Sequence, residues 1–234
     1  MSTTVLQVSF MDVRRFAERV RSLASPFGVT RQCLPLPPGP VSVGALTVAP
    51  GSHRELVDVD EFVVVQEGNV VLEANGVVMS LASGASALIR CGTALQWRAK
   101  APASLIFMRY STARVGDGGV VQINPDAELV PSGAPLAELL TTPAPECRNH
   151  TDYRSDDGEF MCGTWDSTPY TRKAMEYRHY ELMHLLDGEV TFVDAAGQRG
   201  TFGRGDIFLV RQGAECSWDS QVYVRKVYAI WRPG

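Results

Sequence analysis

The chain has 234 residues, a formal net charge of −4 and 45% hydrophobic residues. This length is long for one hydrophobic core and comfortable for two, because domains cluster at roughly 100–150 residues. The chain has no basic patch for nucleic acid and no window near the ~20 apolar residues of a membrane span, so we predict neither partner.

The predicted cellular location follows from the start of the chain and from its cysteines. The first residues lack the order of basic, apolar and small residues that marks a signal peptide. The five cysteines are odd in number and widely spaced, which is typical of free thiols in a reducing compartment. These are Cys33, Cys91, Cys147, Cys162 and Cys216. We therefore expect a cytoplasmic protein.

A helix is predicted near the N-terminus, in the stretch "DVRRFAERVRSLA" at residues 12–24. Its apolar residues recur with helical spacing, and Asp12 precedes them as an N-cap. The apolar stripe consists of Val13, Phe16, Ala17, Val20 and Leu23. We expect this helix, within an N-terminal extension of residues 1–30, to pack on the flank of the following domain.

The rest of the chain contains one pattern twice. Glu61 and Glu181 are each followed by six residues and then a glycine, and alternating apolar and polar residues follow both glycines. Further on, "SGASALIRCGTALQW" at 83–97 matches "GRGDIFLVRQGAECSW" at 203–218. Short strands of period two, separated by turn residues, favour jelly-roll barrels. The sequence therefore predicts a duplicated domain, with barrels at residues 31–115 and 151–234 joined by a proline-rich connector at 116–150.

These motifs resemble those of the cupin superfamily, in which a glutamate, six residues and a glycine close the first motif. The similarity is closer to a branch of uncharacterised cupins whose second motif lacks a histidine and closes on a tryptophan, as in "YELMHLLDGEV" and "CSW" here. The resemblance implies an all-β fold of two tandem cupin jelly-roll barrels, with ureidoglycine aminohydrolases as distant two-barrel relatives. Exposed strand edges and the habit of the family favour a homodimer.

The chain departs from metal-binding cupins at the positions of their histidines. In the second half, the two histidine positions of the first motif hold Met175 and Tyr177, or Ala174 and Glu176, and that of the second motif holds Cys216. The corresponding positions of the first half hold no histidine either. The usual site of three histidines and one glutamate is absent from both halves, and a divalent metal cofactor is not favoured.

Alternation along the strands predicts which side chains line the second barrel. Side chains two residues apart share a face, so those at 177, 179, 181 and 183 should point inward with the motif glutamate, and those at 216 and 218 should face them. His184 should point outward. The predicted ligand-binding residues are Tyr177, His179, Glu181, Met183, Arg211, Cys216 and Trp218.

Several interpretations of this set remain open. His179, Glu181 and Cys216 offer the donor types of a zinc or iron site. Cys216 is also a candidate nucleophile with His179 as its base. In the favoured interpretation, the polar groups orient a small ligand while Trp218 and Met183 supply apolar surface. In the fourth interpretation the barrel is packed and binds nothing.

Arginines indicate the charge of such a ligand. Buried Glu61 and Glu181 need partners, and Arg90 and Arg211 lie at matched positions of the two halves, either as partners or as surface arginines at a turn. An arginine reaching inward, with help from Arg172, Lys173 and Arg178, would favour a carboxylate. The first barrel, with apolar residues around Glu61, is predicted to be structural.

We therefore predict a bicupin whose C-terminal barrel binds a small polar or carboxylated metabolite and either releases it unchanged or converts it. The first alternative is a metal-dependent enzyme resembling ureidoglycine aminohydrolase. The second is a non-catalytic assembly protein, which a filled barrel without a cavity near Trp218 would support.

Overall fold

The computed structural model describes residues 8–22, 25, 27–111, 114 and 116–234. Helix α1 spans Val13–Ser22 and begins behind Asp12, whose Oδ1 accepts a hydrogen bond of 2.9 Å from the Arg14 backbone N–H. This confirms the predicted N-cap. Val13, Ala17 and Val20 are buried, whereas Leu23 lies outside the described residues.

The N-terminal barrel is built mainly from nine antiparallel strands. They are β2 Val29–Cys33, β3 Val41–Val48, β4 Gly51–Val57, β5 Asp60–Glu67, β6 Val70–Ala74, β7 Val77–Leu81, β8 Ser86–Ile89, β9 Thr93–Ala99 and β10 Ala103–Tyr110. One sheet has the order β8-β5-β10-β3-β2, extended beyond β8 by a strand from the connector. The facing sheet has the order β4-β9-β6-β7.

The C-terminal barrel repeats this arrangement. Its strands are β13 Cys147–Arg154, β14 Phe160–Ser167, β15 Tyr170–Glu176, β16 Tyr180–Asp187, β17 Glu189–Val193, β18 Arg199–Gly203, β19 Ile207–Val210, β20 Glu215–Ser220 and β21 Val224–Trp231. The larger sheet contains the order β19-β16-β21-β14-β13, and the smaller one β15-β20-β17-β18. Because the two orders correspond strand for strand, the predicted all-β duplication of jelly-roll barrels is confirmed.

Three short strands lie outside these sets: β1 Phe10–Asp12, β11 Val120–Gln122 and β12 Val130–Ser132. Strand β1 pairs with β19 of the C-terminal barrel, and β11 pairs with β8 of the N-terminal barrel. The register is equivalent, since Phe10 lies opposite Val210 and Val120 lies opposite the matched residue Ile89. Each barrel thus completes its larger sheet with a strand from outside the segment predicted for it, which modifies the predicted boundaries.

Alternation along each strand divides the apolar residues among three cores. One fills the N-terminal barrel, one fills the C-terminal barrel, and one lies between the larger sheets of the two barrels. In β16, Met183 and Leu185 point into the C-terminal barrel, while Leu182 joins the core between the barrels. The first barrel therefore packs its outer sheet face against the second, together with α1.

The connector continues after β12 with a 3₁₀ turn at Ala137–Leu139. In the described residues, no helix is long and apolar enough to cross a membrane.

The glycine that closes the first motif in the second half is required by backbone geometry. Gly188 has a φ of 79°, in the left-handed region that favours glycine. A Cβ at this position would lie 2.0 Å from the carbonyl oxygen of Tyr223, which is far inside van der Waals contact. The motif spacing therefore indicates a tight turn that lies against the connection between β20 and β21.

Candidate functional site

The C-terminal barrel holds a cavity of about 250 Å³ between its two sheets. Its walls are aromatic, and its polar lining carries more positive than negative groups. The aromatic residues are Trp165, Tyr170, Tyr177, Trp218 and Tyr228, and the charged residues are Arg172, Glu181, Lys226 and Arg232. A cavity of this kind, with apolar walls and a few polar groups, is typical of a small-molecule site.

Glu181 and Lys226 form a buried ion pair in this cavity. Lys226 Nζ lies 2.7 Å from Glu181 Oε1, and the two residues are 6% and 7% exposed. The lysine comes from β21, where it shares a strand face with Val224 and Tyr228 and therefore points inward. Its stem reaches Glu181 past Met183, whose Sδ is 3.2 Å from Nζ.

Two indole rings surround the Lys226 ammonium. Nζ lies 4.7 Å from the ring centroid of Trp165 and 5.2 Å from that of Trp218. Trp218 in turn stacks on Tyr170, with centroids 5.6 Å apart and ring planes at 11°. Cation–π attraction from these faces stabilises the charged form of the lysine inside the barrel.

The carboxylate of Glu181 is held in its ionised form. Burial by itself would raise the pKa of Glu181, but the Lys226 ammonium and the His179 ring outweigh it and hold the pKa well below its ordinary value. His179 Nε2 lies 3.4 Å from Glu181 Oε2, and the imidazole packs on the Tyr177 ring. The pair therefore presents a fixed positive group and a fixed negative group to the cavity.

Arg172 is a second cation, 4% exposed, and its described hydrogen bonds go to neutral oxygens. Nη1 donates to the backbone carbonyls of Lys173 and Cys216, and Nη2 donates to the hydroxyl of Tyr177 at 2.8 Å. Burial raises the pKa of Tyr177 well above its ordinary value, so this hydroxyl stays neutral. Among the described residues, no carboxylate lies within salt-bridge distance of Arg172.

Four of the seven predicted site residues line the cavity: Tyr177, His179, Glu181 and Trp218. Met183 and Cys216 lie in the core behind it. Burial raises the pKa of the Cys216 thiol to about 12, which opposes its role as a nucleophile at neutral pH.

Arg211 lies elsewhere, although it is buried. Its Nη1 points to the carbonyl of Val8 at 3.4 Å, and its backbone N–H bonds the carbonyl of Ser9. Strand β1 runs beside β19 and brings these N-terminal residues over the arginine. Arg211 is therefore not the partner of Glu181, and Arg90 is not the partner of Glu61.

In the N-terminal barrel the partner of Glu61 is Arg31, from β2. Nε and Nη2 of Arg31 bond both oxygens of Glu61 at 2.8 and 2.9 Å, and Nη1 and Nη2 bond Glu55 at 2.8 and 2.6 Å. The Trp97 indole donates to Glu55 at 2.6 Å. A hydrogen-bonded network thus surrounds the buried carboxylate of Glu61, and the interior of this barrel is not purely apolar.

His184 points away from the ligand cavity, as predicted. It lines a separate cavity of about 520 Å³ between the barrels, beside Arg14 of α1 and Gly84 of the first barrel. Burial, and to a lesser degree the charge of Arg14, lower the pKa of His184 to about 4.

The sequence-based selection missed most of the cavity wall. Trp165, Tyr170, Asn149, Tyr228 and above all Lys226 line the cavity but were not among the predicted residues. A signal for Lys226 was present, because it shares the parity of the apolar and aromatic residues Val224, Tyr228 and Ile230 in "VRKVYAIW". Its partner 45 residues away could not be read from that pattern.

Comparisons with known proteins identify the family. The family model of the EutQ-like cupin domain matches residues 154–228. A solved structure from Pseudomonas syringae pv. tomato, a protein of unknown function in the DUF861 family, is 30% identical, with a TM-score of 0.77 and 82% of each chain covered. The chain belongs to the DUF861 family of cupins.

More distant structures share the fold of this cupin. A cupin 2 conserved barrel domain protein from Leptotrichia buccalis is 10% identical, with a TM-score of 0.65 over 99% of this chain and 100% of that one. Salicylate 1,2-dioxygenase from Pseudoaminobacter salicylatoxidans is 13% identical, with a TM-score of 0.63 over 94% and 83%. No curated protein matches the chain.

The metal ion that the superfamily implies does not fit the donors of this cupin. In the described part of the chain, no three His, Cys, Asp or Glu side chains are grouped to hold a metal. Glu181 is already neutralised by the Lys226 ammonium, which would repel a divalent cation, and the Cys216 thiol is protonated. His179, Glu181 and Cys216, the candidate ligands from the sequence, are therefore a poor donor set for a metal ion.

Proposed function

We propose that the C-terminal barrel of this cupin binds a small carboxylic acid. The observation that carries the proposal is Arg172, a buried guanidinium that lines the cavity and has only neutral hydrogen-bond partners. A buried charge is costly unless it is paired, and guanidinium recognises a carboxylate through paired hydrogen bonds. A ligand carboxylate would supply the missing counter-charge.

The balance of charge and surface supports the same ligand class. Arg172, Lys226 and Arg232 line the cavity against the single carboxylate of Glu181. The stacked rings of Tyr170 and Trp218 offer an apolar face for the carbon skeleton of the ligand. A volume of about 250 Å³ limits that skeleton to a small metabolite.

The structure offers less support for the two alternative functions. A metal-dependent enzyme like ureidoglycine aminohydrolase would need a donor set that the cavity lacks. An assembly protein would leave the barrel filled, whereas a cavity adjoins Trp218. Binding of a carboxylic acid remains the function that we propose, whether or not the protein also converts that acid.

The test is calorimetric titration of the full chain with acetate, propionate, pyruvate and succinate, with propionamide as the uncharged analogue of propionate. We expect a carboxylate to bind and the amide not to bind. Arg172→Gln should weaken binding roughly 10- to 150-fold, the equivalent of one charged hydrogen bond. Lys173→Gln, a change at the adjacent exposed residue, is the matched control and should leave affinity unchanged.

Equal affinity of propionate for the wild-type protein and the Arg172→Gln variant, with both folded by circular dichroism, would overturn the proposal. So would the absence of binding by every carboxylate in the panel. Arg172→Lys serves as the second variant if glutamine at this buried position prevents folding, because it keeps the charge but loses the paired donors.

A further inference from the structure

We infer that Lys226 determines the specificity of this cavity, and that the ligand is a short carboxylic acid carrying a second oxygen acceptor, such as a 2-oxo or 2-hydroxy acid. The inference rests on the proposed function, in which Arg172 holds the carboxylate. It adds a second contact point and a narrower class of ligand.

The hydrogen-bond capacity of Lys226 is the first support. An ammonium has three N–H donors. One donates to Glu181 Oε1 at 2.7 Å, and a second faces the Met183 sulfur, which is only a weak acceptor. The remaining donor has no described acceptor atom, since its other neighbours are the π faces of the Trp165 and Trp218 rings. Since Lys226 lines the cavity, a ligand oxygen would satisfy this donor.

Comparison of the two barrels shows that a lysine is not needed to build the fold. Lys226 lies opposite Leu185 across the β16–β21 ladder, and the matched pair in the first barrel is Val65 opposite Leu105. Leu105 is fully buried in an apolar core. The first barrel thus closes with leucine at the position where the second barrel places a charged group beside a cavity.

The neutralisation of the motif glutamate also does not require a lysine at this position. In the first barrel, Arg31 comes from β2 and forms paired hydrogen bonds with Glu61. The residue of β10 that matches Lys226 is the apolar Leu105. The second barrel has Asn149 opposite Trp165, where the first has Arg31 opposite Leu46. In the second barrel, the cation that pairs with the motif glutamate is therefore Lys226 on β21, which reaches both the glutamate and the cavity.

The placement of the two cations limits the length of the ligand. Arg172 lies directly opposite Trp218 in the β15–β20 ladder, and Lys226 lies over the Trp218 ring. Both side chains also line the same cavity of about 250 Å³, whose aromatic wall would receive the ligand carbons. A short acid reaches both, with its carboxylate at Arg172 and its second oxygen at Lys226.

The experiment compares propionate with lactate and pyruvate, which differ from it only by an oxygen at carbon 2. Titration of the full-length wild-type protein should show at least one of the oxygenated acids binding roughly 10-fold or more tightly than propionate, the equivalent of about one charged hydrogen bond. Lys226→Met should remove that preference, so that the ratio of lactate or pyruvate affinity to propionate affinity falls to about one. Lys173→Met is the matched control and should keep the preference.

The outcomes separate this inference from the proposed function. If propionate, lactate and pyruvate bind the wild type equally well, or if Lys226→Met keeps the preference, the inference is wrong and the carboxylate site stands. If the wild type binds none of the three acids, the inference is wrong, and if it also binds neither acetate nor succinate, the proposed function is wrong as well.

Lys226→Met leaves Glu181 buried without its cation, so a double variant tests the same inference without an unpaired buried charge. Lys226→Met combined with Glu181→Gln removes both charges and should show the same loss of preference for the oxygenated acids. A preserved preference in this double variant would overturn the inference as well.

Discussion

Replacement of Lys226 by methionine is expected to destabilise the C-terminal barrel strongly. The variant keeps a side chain of similar length but leaves the Glu181 carboxylate, 7% exposed, without the ammonium 2.7 Å away. Breaking a buried ion pair on one side typically costs about 3–5 kcal/mol in the free energy of unfolding. His179, at 3.4 Å, is the remaining partner and places the expected loss at the lower end of that range.

The dependence on pH has a definite sign. In the wild type the pKa of Glu181 is lowered on folding, so this carboxylate stabilises the fold above its unfolded pKa and the stabilisation is lost at low pH. Without Lys226, burial dominates and raises the pKa above the unfolded value. The deficit of the variant should therefore be largest near pH 7 and shrink as the pH falls towards 4.

Urea denaturation followed by circular dichroism and tryptophan fluorescence measures these differences. The double variant Lys226→Met with Glu181→Gln should recover at least about 1 kcal/mol relative to Lys226→Met, because the unpaired charge is gone. Lys173→Met, at an exposed position, should change stability by less than about 0.5 kcal/mol. A loss below about 1 kcal/mol in Lys226→Met, or strict additivity in the double variant, would refute the buried-pair argument.

Two further predictions concern other parts of the fold. Burial lowers the pKa of His184 from 6.5 to about 4. The stability that depends on the neutral ring, about 3 kcal/mol, is fully present above pH 6.5 and is lost as the pH falls towards 4. His184→Leu should therefore flatten this part of the pH–stability curve, and an unchanged slope would contradict the argument. Gly188→Ala should cost more than about 2 kcal/mol in the unfolding free energy, because the φ of Gly188 is 79° and the new Cβ would meet the Tyr223 carbonyl at 2.0 Å. Gly197 has a φ of 78° but open space around it, so Gly197→Ala should cost only about 1 kcal/mol. Similar losses for the two variants in thermal or urea unfolding would exclude the close approach as the cause.

Part of the candidate site could be predicted because strand alternation is a local property. Once Glu181 was placed inside the barrel, the inward direction of Met183 and the outward direction of His184 followed from parity. The motif glycine Gly188 was also readable, since a left-handed residue at a turn leaves a local signal. The sequence could not show that Cys216 shares the inward face yet lies behind the cavity, because that depends on the bulk of its neighbours.

Arg211 was considered either as a partner for a buried carboxylate or as a surface arginine, and its actual position has a clear physical cause. Arg90 and Arg211 were candidates because they lie at matched positions in the two halves. Matched positions indicate equivalent backbone positions, but they do not show where a long side chain reaches. Val8 and Ser9, just before β1, contact Arg211, and nothing local in the "FMD" of β1 shows that this strand pairs with β19 and not with a neighbouring strand.

The sequence by itself determined the duplicated β architecture, the helix start at Asp12, the inward face of β16 and the loss of the metal histidines, because periodicity, capping and motif spacing act over a few residues. Only the tertiary structure decided which cation neutralises each motif glutamate, and which barrel receives β1 and which receives β11. Those choices join residues far apart in the chain, where long side chains and sheet edges have several partners of similar chemistry. Packing in three dimensions selects among these partners, and it places Lys226 beside Glu181 in the wall of the cavity.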